Sequence, residues 1–259
     1  MTRLRSYQTE AIVLKRMDFG EADRLLTVVT PGYGKLRVLA KGVRRTTSRL
    51  SGHLESFSLV HLMLARGRNL DVVVQAMMLE PFRHIRDDLS VASYAYHLGE
   101  LVETVSPEGQ SDGIAFGLFR SALAALDQGL VEPDLTTRYF EVQLLDAAGF
   151  RPQLLTCLGC GVAIAPIANW FSIPMGGVYC PSCGAREPSA RAISVDGLKY
   201  LRYLQRTPSV EQVSIRPPSA VANEVERLLR SLIEAVLERR LRAVEFVKRV
   251  AEERAVYAP

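Results

Sequence analysis

The chain has 259 residues, 48% of them hydrophobic and 23% charged, with a net charge of +4. That length and balance describe a globular protein with core material for two domains, and they exclude a low-complexity or intrinsically disordered chain. No apolar run approaches the roughly 18 residues of a membrane span, and the apolar stretch behind Arg3 and Arg5 covers only Ala11 to Leu14, too short for a secretory signal. The expectation is a cytoplasmic protein whose four cysteines are not disulfides. The charge is uneven: Met1 to His84 carries 14 Lys and Arg against 7 Asp and Glu, while the remainder carries 18 against 21. A basic N-terminal third on a mildly acidic body suggests a polyanionic partner for the first domain.

Five strand-like runs fill the first 80 residues: Thr9–Met17, Arg24–Thr30, Lys35–Gly42, Phe57–Ala65 and Leu70–Leu79. They are rich in Val, Leu and Thr and are bounded by turn chemistry such as Phe19-Gly20-Glu21 and Ala65 to Asn69. The long gap, Val43 to Ser56, follows the third run. A five-stranded barrel with a long third connection fits the OB-fold, although an SH3-like barrel or a plain meander would space its strands in the same way.

The third run lies in the most cationic stretch, Pro31 to Arg49. Lys35, Arg37, Lys41, Arg44, Arg45 and Arg49 follow one another with no carboxylate between Asp23 and Glu55. Alternation on a strand sends Leu36, Val38 and Ala40 to one face and Arg37 and Lys41 to the other. Cations gathered in this way suit a phosphate backbone; an edge strand kept soluble by Lys and Arg would look similar. Phe19 and Tyr33, in the connecting turns, are candidates for stacking on unpaired bases, or simply cover the barrel end.

From Phe82 the period becomes helical. Asp87/Asp88 can cap a helix to about Val105, and Ile114–Asp127 precedes a C-cap Gly129. A third helix opens at Pro133 and runs to Ala148 before Gly149. These three read as a bundle with Tyr139, Leu144 and Leu145 in its core. Ser194 begins another helix that ends near Thr207-Pro208. The last segment, Ser219 to about Val250, carries the stripe Val225, Leu228, Leu229, Leu232, Val236 and Leu237, which faces a core. Arg239, Arg240 and Arg242 fall late in it, where cations suit the helix dipole.

Between these helices lies the sharpest motif. Cys157-Leu-Gly-Cys160 and Cys180-Pro-Ser-Cys183 are separated by 19 residues, a spacing that matches a four-thiolate zinc site. Each pair is followed by a glycine, Gly161 and Gly184, which permits a tight turn. Trp170-Phe171-Ser172 and Gly176 to Tyr179 read as a small hairpin. Four sulfurs saturate a tetrahedral ion and leave no position for water or substrate, so the site is expected to be structural. The expected divisions are 1–81, a barrel; 82–155, helices; 156–185, the zinc module; and 186–259, further helices. The fold class is α+β.

Enzyme motifs are missing. Gly34-Lys35 is followed by Leu36 and lacks the rest of a P-loop; H-E-x-x-H and G-x-S-x-G do not occur, and His53, His61, His84 and His97 have no ligand spacing. The chain reads as a binding protein, not an enzyme.

The run Phe19-Gly-Glu-Ala-Asp-Arg24-Leu-Leu-Thr27, then Gly34-Lys35, Ala40-Lys41-Gly42-Val-Arg44-Arg45 and Ser48-Arg49-Leu50, resembles the RecO family of bacterial DNA-repair proteins. Leu54 to Phe57, Gln75-Ala76, Glu80 to Phe82, Arg138 to Glu141, Gly149-Phe150 and both C-x-x-C pairs continue the resemblance, which weakens after about Ala190. It implies an OB-fold that binds single- and double-stranded DNA, followed by a helical domain. It also implies a recombination mediator at the nucleoid that anneals strands. With RecR, it helps load the recombinase onto DNA coated by single-strand-binding protein. The acidic tail of that protein needs an apolar notch and an Arg fork; Arg138 is the candidate and Arg120 the reserve. A competing class, a zinc-containing transcription or translation accessory factor, would use the cysteine module on nucleic acid. Residues 157–185 contain no Lys or Arg, which favours the barrel as the binding surface.

Overall fold

The first strand organises the N-terminal fold because it is long enough to serve two neighbours. In the computed structural model, which describes residues 6–241, 243, 246, 247, 249 and 250, β1 spans Ser6–Phe19. Its first half pairs antiparallel with β4 (Leu59–Ala65), and its second half with β2 (Asp23–Thr30). A register shift between Val13 and Lys15 lies just inside the ladder with β2; such bulges bend a strand and increase its twist. β3 (Gly34–Ala40) continues antiparallel to β2, and β5 (Asp71–Glu80) lies antiparallel to β4. The hydrogen-bonded order is β1-β2-β3-β5-β4, and β4 returns to β1, so the sheet closes on itself. The seam is thin: β3 and β5 pair in parallel through Val38 with Asp71 and Leu39 with Val72.

Alternation fills the interior with Ala11, Val13, Leu26, Val28, Val38, Ala40, Val60, Leu62 and Leu64, and Val43 and Leu54 from the long third connection join them. Each Val or Leu among them contributes roughly 1.5–3 kcal/mol on burial. Arg37 and Lys41 point outward, as their parity with Val38 and Ala40 requires.

Two compact units divide the chain, one running to Gln128 and taking in the described residues from Ala243, the other spanning Gly129 to the described Leu241. The change of secondary-structure type after residue 81 is therefore not a packing boundary. Helices α1 (Arg83–Asp87), α2 (Leu89–Val105) and α3 (Gly113–Gln128) pack on one another within the barrel's unit. Asp88 caps α2 as expected, accepting from the Ser90 amide at 2.7 Å and the Val91 amide at 3.3 Å. Gly99 of α2 sits against Phe57, where an added Cβ would lie 3.3 Å from the ring.

The second unit begins with α4 (Pro133–Ala147), which packs on α6 (Val195–Arg206) and α7 (Ser219–Leu237). This corrects the expected three-helix bundle: Gly129, at φ +62°, ends α3, and the buried face of α4 finds its partners far downstream in the sequence. Tyr139, Leu144 and Leu145 are buried there. Between α4 and α6 lies a three-stranded sheet in the order β7 (Gly177–Tyr179), β6 (Asn169–Ser172), β8 (Ala190–Ile193). The hairpin was legible in the sequence, but β8 was not. A short helix, α5 (Pro181–Gly184), follows β7. The expected helix to Val250 stops early: Glu238 adopts φ +50° and terminates α7, which leaves Arg239 and Arg240 beyond it. Arg242 lies outside the described residues.

Candidate nucleic-acid interface and metal centre

One end of the barrel is built where the β1–β2 turn meets the segment that leaves β3. The Arg44 amide donates to the Ala22 carbonyl at 2.9 Å, and the Gly42 amide donates to Asp23 Oδ1 at 2.7 Å. Gly42 has φ +63°, a conformation that costs a residue with a Cβ. This junction brings Arg44 back over the turn, where Nη2 lies 3.4 Å from Asp18 Oδ2 and Nη1 donates to the Gly20 carbonyl at 3.4 Å. Arg24 reaches the same carboxylate through Nε at 3.1 Å. Phe19 stands beside them in the turn, 48% exposed. Lys41 and Arg45 are exposed on the same junction, and Arg49 is exposed further along the segment. Exposed ion pairs of this kind contribute about 0–1 kcal/mol, so Asp18 holds two guanidiniums in place without neutralising them firmly. Arg24 is a further member of this group that the sequence does not single out, because nothing in the spacing signals its pairing with Asp18.

The other cations do not join this group. The Lys35 ammonium donates to the Glu103 carbonyl at 2.8 Å, while the Lys35 amide donates to the Pro107 carbonyl at 3.1 Å. Lys35 thus ties β3 to the end of α2, at the opposite end of the strand from Lys41. Arg37 is exposed in mid-strand, opposite Thr27. The expected single patch of six is therefore a cluster at one end, one cation on the strand and one anchored. Tyr33 packs on Tyr7 with ring centroids 4.7 Å apart, and Arg66 covers the Tyr7 ring at 4.7 Å. It closes the barrel surface there, whereas Phe19 offers a ring to solvent.

The four cysteines converge. Their Sγ atoms all lie within 4.8 Å of one another. The knuckle holding the first pair is closed by the Gly161 amide donating to the Cys157 carbonyl at 2.9 Å and by the Cys157 amide donating to the Val162 carbonyl at 2.8 Å. The second pair sits at the start of α5, where the Cys180 amide donates to Cys157 Sγ at 3.2 Å. Gly161 has φ +74°, as its turn demands. Gly184 serves differently: any Cβ there would collide with the Trp170 side chain.

The donor set fits a tetrahedral cation. Metal–sulfur bonds of about 2.3 Å place the sulfurs of a tetrahedron about 3.8 Å apart, and Cys160 Sγ lies 3.8 Å from Cys180 Sγ. Burial opposes ionisation of Cys157, but hydrogen bonds from the Cys180, Cys160 and Gly159 amides outweigh it and bring the thiol down to about 6. Hydrogen bonding to Cys160 and Cys180, with burial, pushes Cys183 up to about 12. A bound cation would allow all four thiols to ionise together.

The two arginines considered for a partner's tail are both engaged. Arg138 Nη1 lies 2.7 Å from Glu141 Oε2, with side chains only 14% and 2% exposed. That acid is three residues further along α4, so the pair forms within one turn of the helix. Arg120 pairs with Glu80, and its side chain is 45% exposed.

A family model described as Recombination protein O N terminal matches residues 1–82, and one described as Recombination protein O C terminal matches residues 86–245. The chain is 42% identical over 250 residues to the DNA repair protein RecO of Roseiflexus sp. (strain RS-1), covering 96% of this chain and 88% of that protein. It is 35% identical over 246 residues to the protein of that name from Dehalococcoides mccartyi (strain ATCC BAA-2266 / KCTC 15142 / 195), covering 94% and 96%. The corresponding protein of Desulforudis audaxviator (strain MP104C) is 36% identical over 247 residues, covering 95% and 98%.

Proposed function

The chain belongs to the RecO family of DNA repair proteins, and on that premise we propose that it is a DNA-binding recombination mediator that anneals complementary strands. The observation that carries this reading is the junction at the end of the barrel, where Lys41, Arg44 and Arg45 gather beside the exposed Phe19. Cations that neutralise phosphates release condensed counterions, and an exposed ring beside them gives an unpaired base a face to stack on. Asp18 keeps Arg24 and Arg44 oriented until a phosphate takes its place. We read the five-stranded ring as an OB-fold and assign residues 1–81 to DNA, with Arg37 and Arg49 extending the contact.

The cysteines are assigned one structural zinc ion. Four thiolates fill its coordination sphere, so the module stiffens the second unit and performs no reaction. The protein acts as a mediator in the cytoplasm, at the nucleoid, rather than as an enzyme. With RecR it admits the recombinase to single strands covered by single-strand-binding protein, whose acidic tail docks on the helical part of the chain. Of the two arginines considered for that tail, Arg120 is the more reachable, because Arg138 is less exposed and paired with the buried Glu141.

Annealing of complementary oligonucleotides coated with single-strand-binding protein tests the reading. Addition of this chain should accelerate duplex formation, and Arg44→Ala/Arg45→Ala should reduce the acceleration. Equal rates with and without the parent chain would overturn the function.

A further inference from the structure

Helix α6 carries a second cationic surface that the barrel leaves unused. Lys199, Arg202, Tyr203 and Arg206 are spaced three and four residues apart, so they share one side of the helix. With Thr207 and Pro208 they line a cleft of about 560 Å³ that has no carboxylate in its walls. Asp196 reaches Lys199 at 3.6 Å, but both side chains are mostly exposed and the pair is weak. Among the described residues neither Arg202 nor Arg206 has an ion pair. Arg202 is held in place by Nε and Nη2, which donate to the Leu154 carbonyl at 2.9 and 2.6 Å and leave Nη1 available. Burial, and then the adjacent Arg206, lower the Arg202 pKa, as expected of like charges held together without a counterion. The Tyr203 hydroxyl accepts from the Ser214 amide at 2.8 Å and donates to the Gln212 carbonyl at 3.2 Å, which pins the ring as a wall beside the cations.

We propose that this cleft is a second site for nucleic-acid phosphates, taking a backbone separate from the one at the barrel end. The inference rests on the reading of this protein as a strand-annealing factor. Two strands repel through their backbones, and a protein that brings them together needs cations for each. From Lys199 to Arg206 the charges extend along about 10 Å of helix axis, longer than a single carboxylate and suited to successive phosphates. Tyr203 adds a flat apolar surface for a sugar or base. An acidic peptide is the rival occupant, and the test separates the two.

The full chain is titrated with fluorescent oligodeoxythymidine across a range of salt, as the parent, as Lys199→Glu/Arg206→Glu and as Arg44→Ala/Arg45→Ala. Acylation of Lys199 in the parent is followed in parallel by mass spectrometry, with and without the oligonucleotide. Loss of two phosphate contacts should flatten the log–log salt dependence of the cleft variant by about 1.4, and the oligonucleotide should shield Lys199 from acylation. An unchanged slope together with undiminished labelling would overturn the proposal. So would shielding by an Asp- and Glu-rich peptide but not by the oligonucleotide. If Arg44→Ala/Arg45→Ala leaves the slope intact while Lys199 is shielded, the assignment of the barrel end fails and the cleft stands.

Discussion

The barrel end and the cysteine module both have features that nucleic-acid-binding proteins use, but their side chains face opposite tasks. At the barrel end, Lys41 and Arg45 project from a junction whose backbone is fixed by Asp23 and Ala22, and the Arg44 side chain is held only by exposed contacts. In the module, four thiols turn toward one another, and residues 157–185 contain no Lys or Arg. A rigid backbone that presents loosely paired charge suits a ligand arriving from solvent. Donors that satisfy one another around a cation suit a cross-link. The difference predicts that substitutions in the module will act on stability and substitutions at the barrel end on affinity.

The largest effect is expected from Cys157→Ser. Structural zinc contributes roughly 10–16 kcal/mol of apparent binding energy in zinc-finger peptides, against a usual domain margin of about 5–15 kcal/mol. Loss of one thiolate should abolish stoichiometric metal and melt the sheet formed by β6, β7 and β8. Metal analysis and thermal unfolding of the purified variant check this. A chelated parent protein with an unchanged melting curve would remove the contrast on which the comparison rests.

Arg138 gives a sharper version within the second unit, because it is a cation with a structural role. Its removal takes the guanidinium from Glu141, which is 2% exposed. Breaking such a buried pair should cost about 3 kcal/mol, a fall of roughly 6–12 °C in Tm for a protein of this size. Affinity for naked DNA should be unchanged. A variant with parental stability and weakened binding to a fluorescent tail peptide would instead restore Arg138 as a docking residue.

The Phe19→Ala and Tyr33→Ala pair asks which aromatic meets a base. Stacking contributes about 1–3 kcal/mol per base by alanine substitution, so Phe19→Ala should weaken single-strand binding by roughly 5- to 150-fold. Tyr33 lies against Tyr7, and Tyr33→Ala should leave DNA affinity near the parent value while lowering stability. Fluorescence anisotropy at fixed salt distinguishes them, and equal losses would mean that both rings touch DNA.

Local chemistry made much of this molecule legible. Alternation exposed the five strands, Asp88 and Gly129 announced helix boundaries, and the two C-x-x-C pairs gave the candidate metal ligands directly. What escaped was decided by distant partners. The contact of Lys35 with the Glu103 carbonyl spans 68 residues, and nothing in the spacing of Lys35, Arg37 and Lys41 separates an anchored ammonium from an exposed one. Strand β8 is short and has Arg191 in its middle, so it becomes a strand only because β6 offers an edge. Glu238 ends α7 in a left-handed conformation with no Gly or Pro to announce it, while the apolar period continues past the break. The periodicity of helix α4 shows that it has a buried face but not what covers it, and its true partners, α6 and α7, lie far downstream.

The smallest effect is expected from Lys35→Ala, and it tests how finely the barrel's charge is divided. Six phosphate contacts would give a salt slope of about −4.2 for single strands, and five about −3.5. The Lys35 ammonium is bound to a carbonyl and its amide to Pro107, so it belongs to the packing of β3 on the end of α2. Its removal should therefore leave the slope within error of the parent and lower the melting temperature slightly, through loss of one half-exposed hydrogen bond with a net worth of about 0.5–1.5 kcal/mol. Arg37→Ala, two residues away on the same strand and exposed, should flatten the slope by about 0.7 with no change in melting. Two neighbouring cations would then divide in the same way as the two regions do, one acting on stability and the other on affinity. If Lys35→Ala flattened the slope as much as Arg37→Ala, the phosphate path would run the length of β3, and the barrel end would be only part of it.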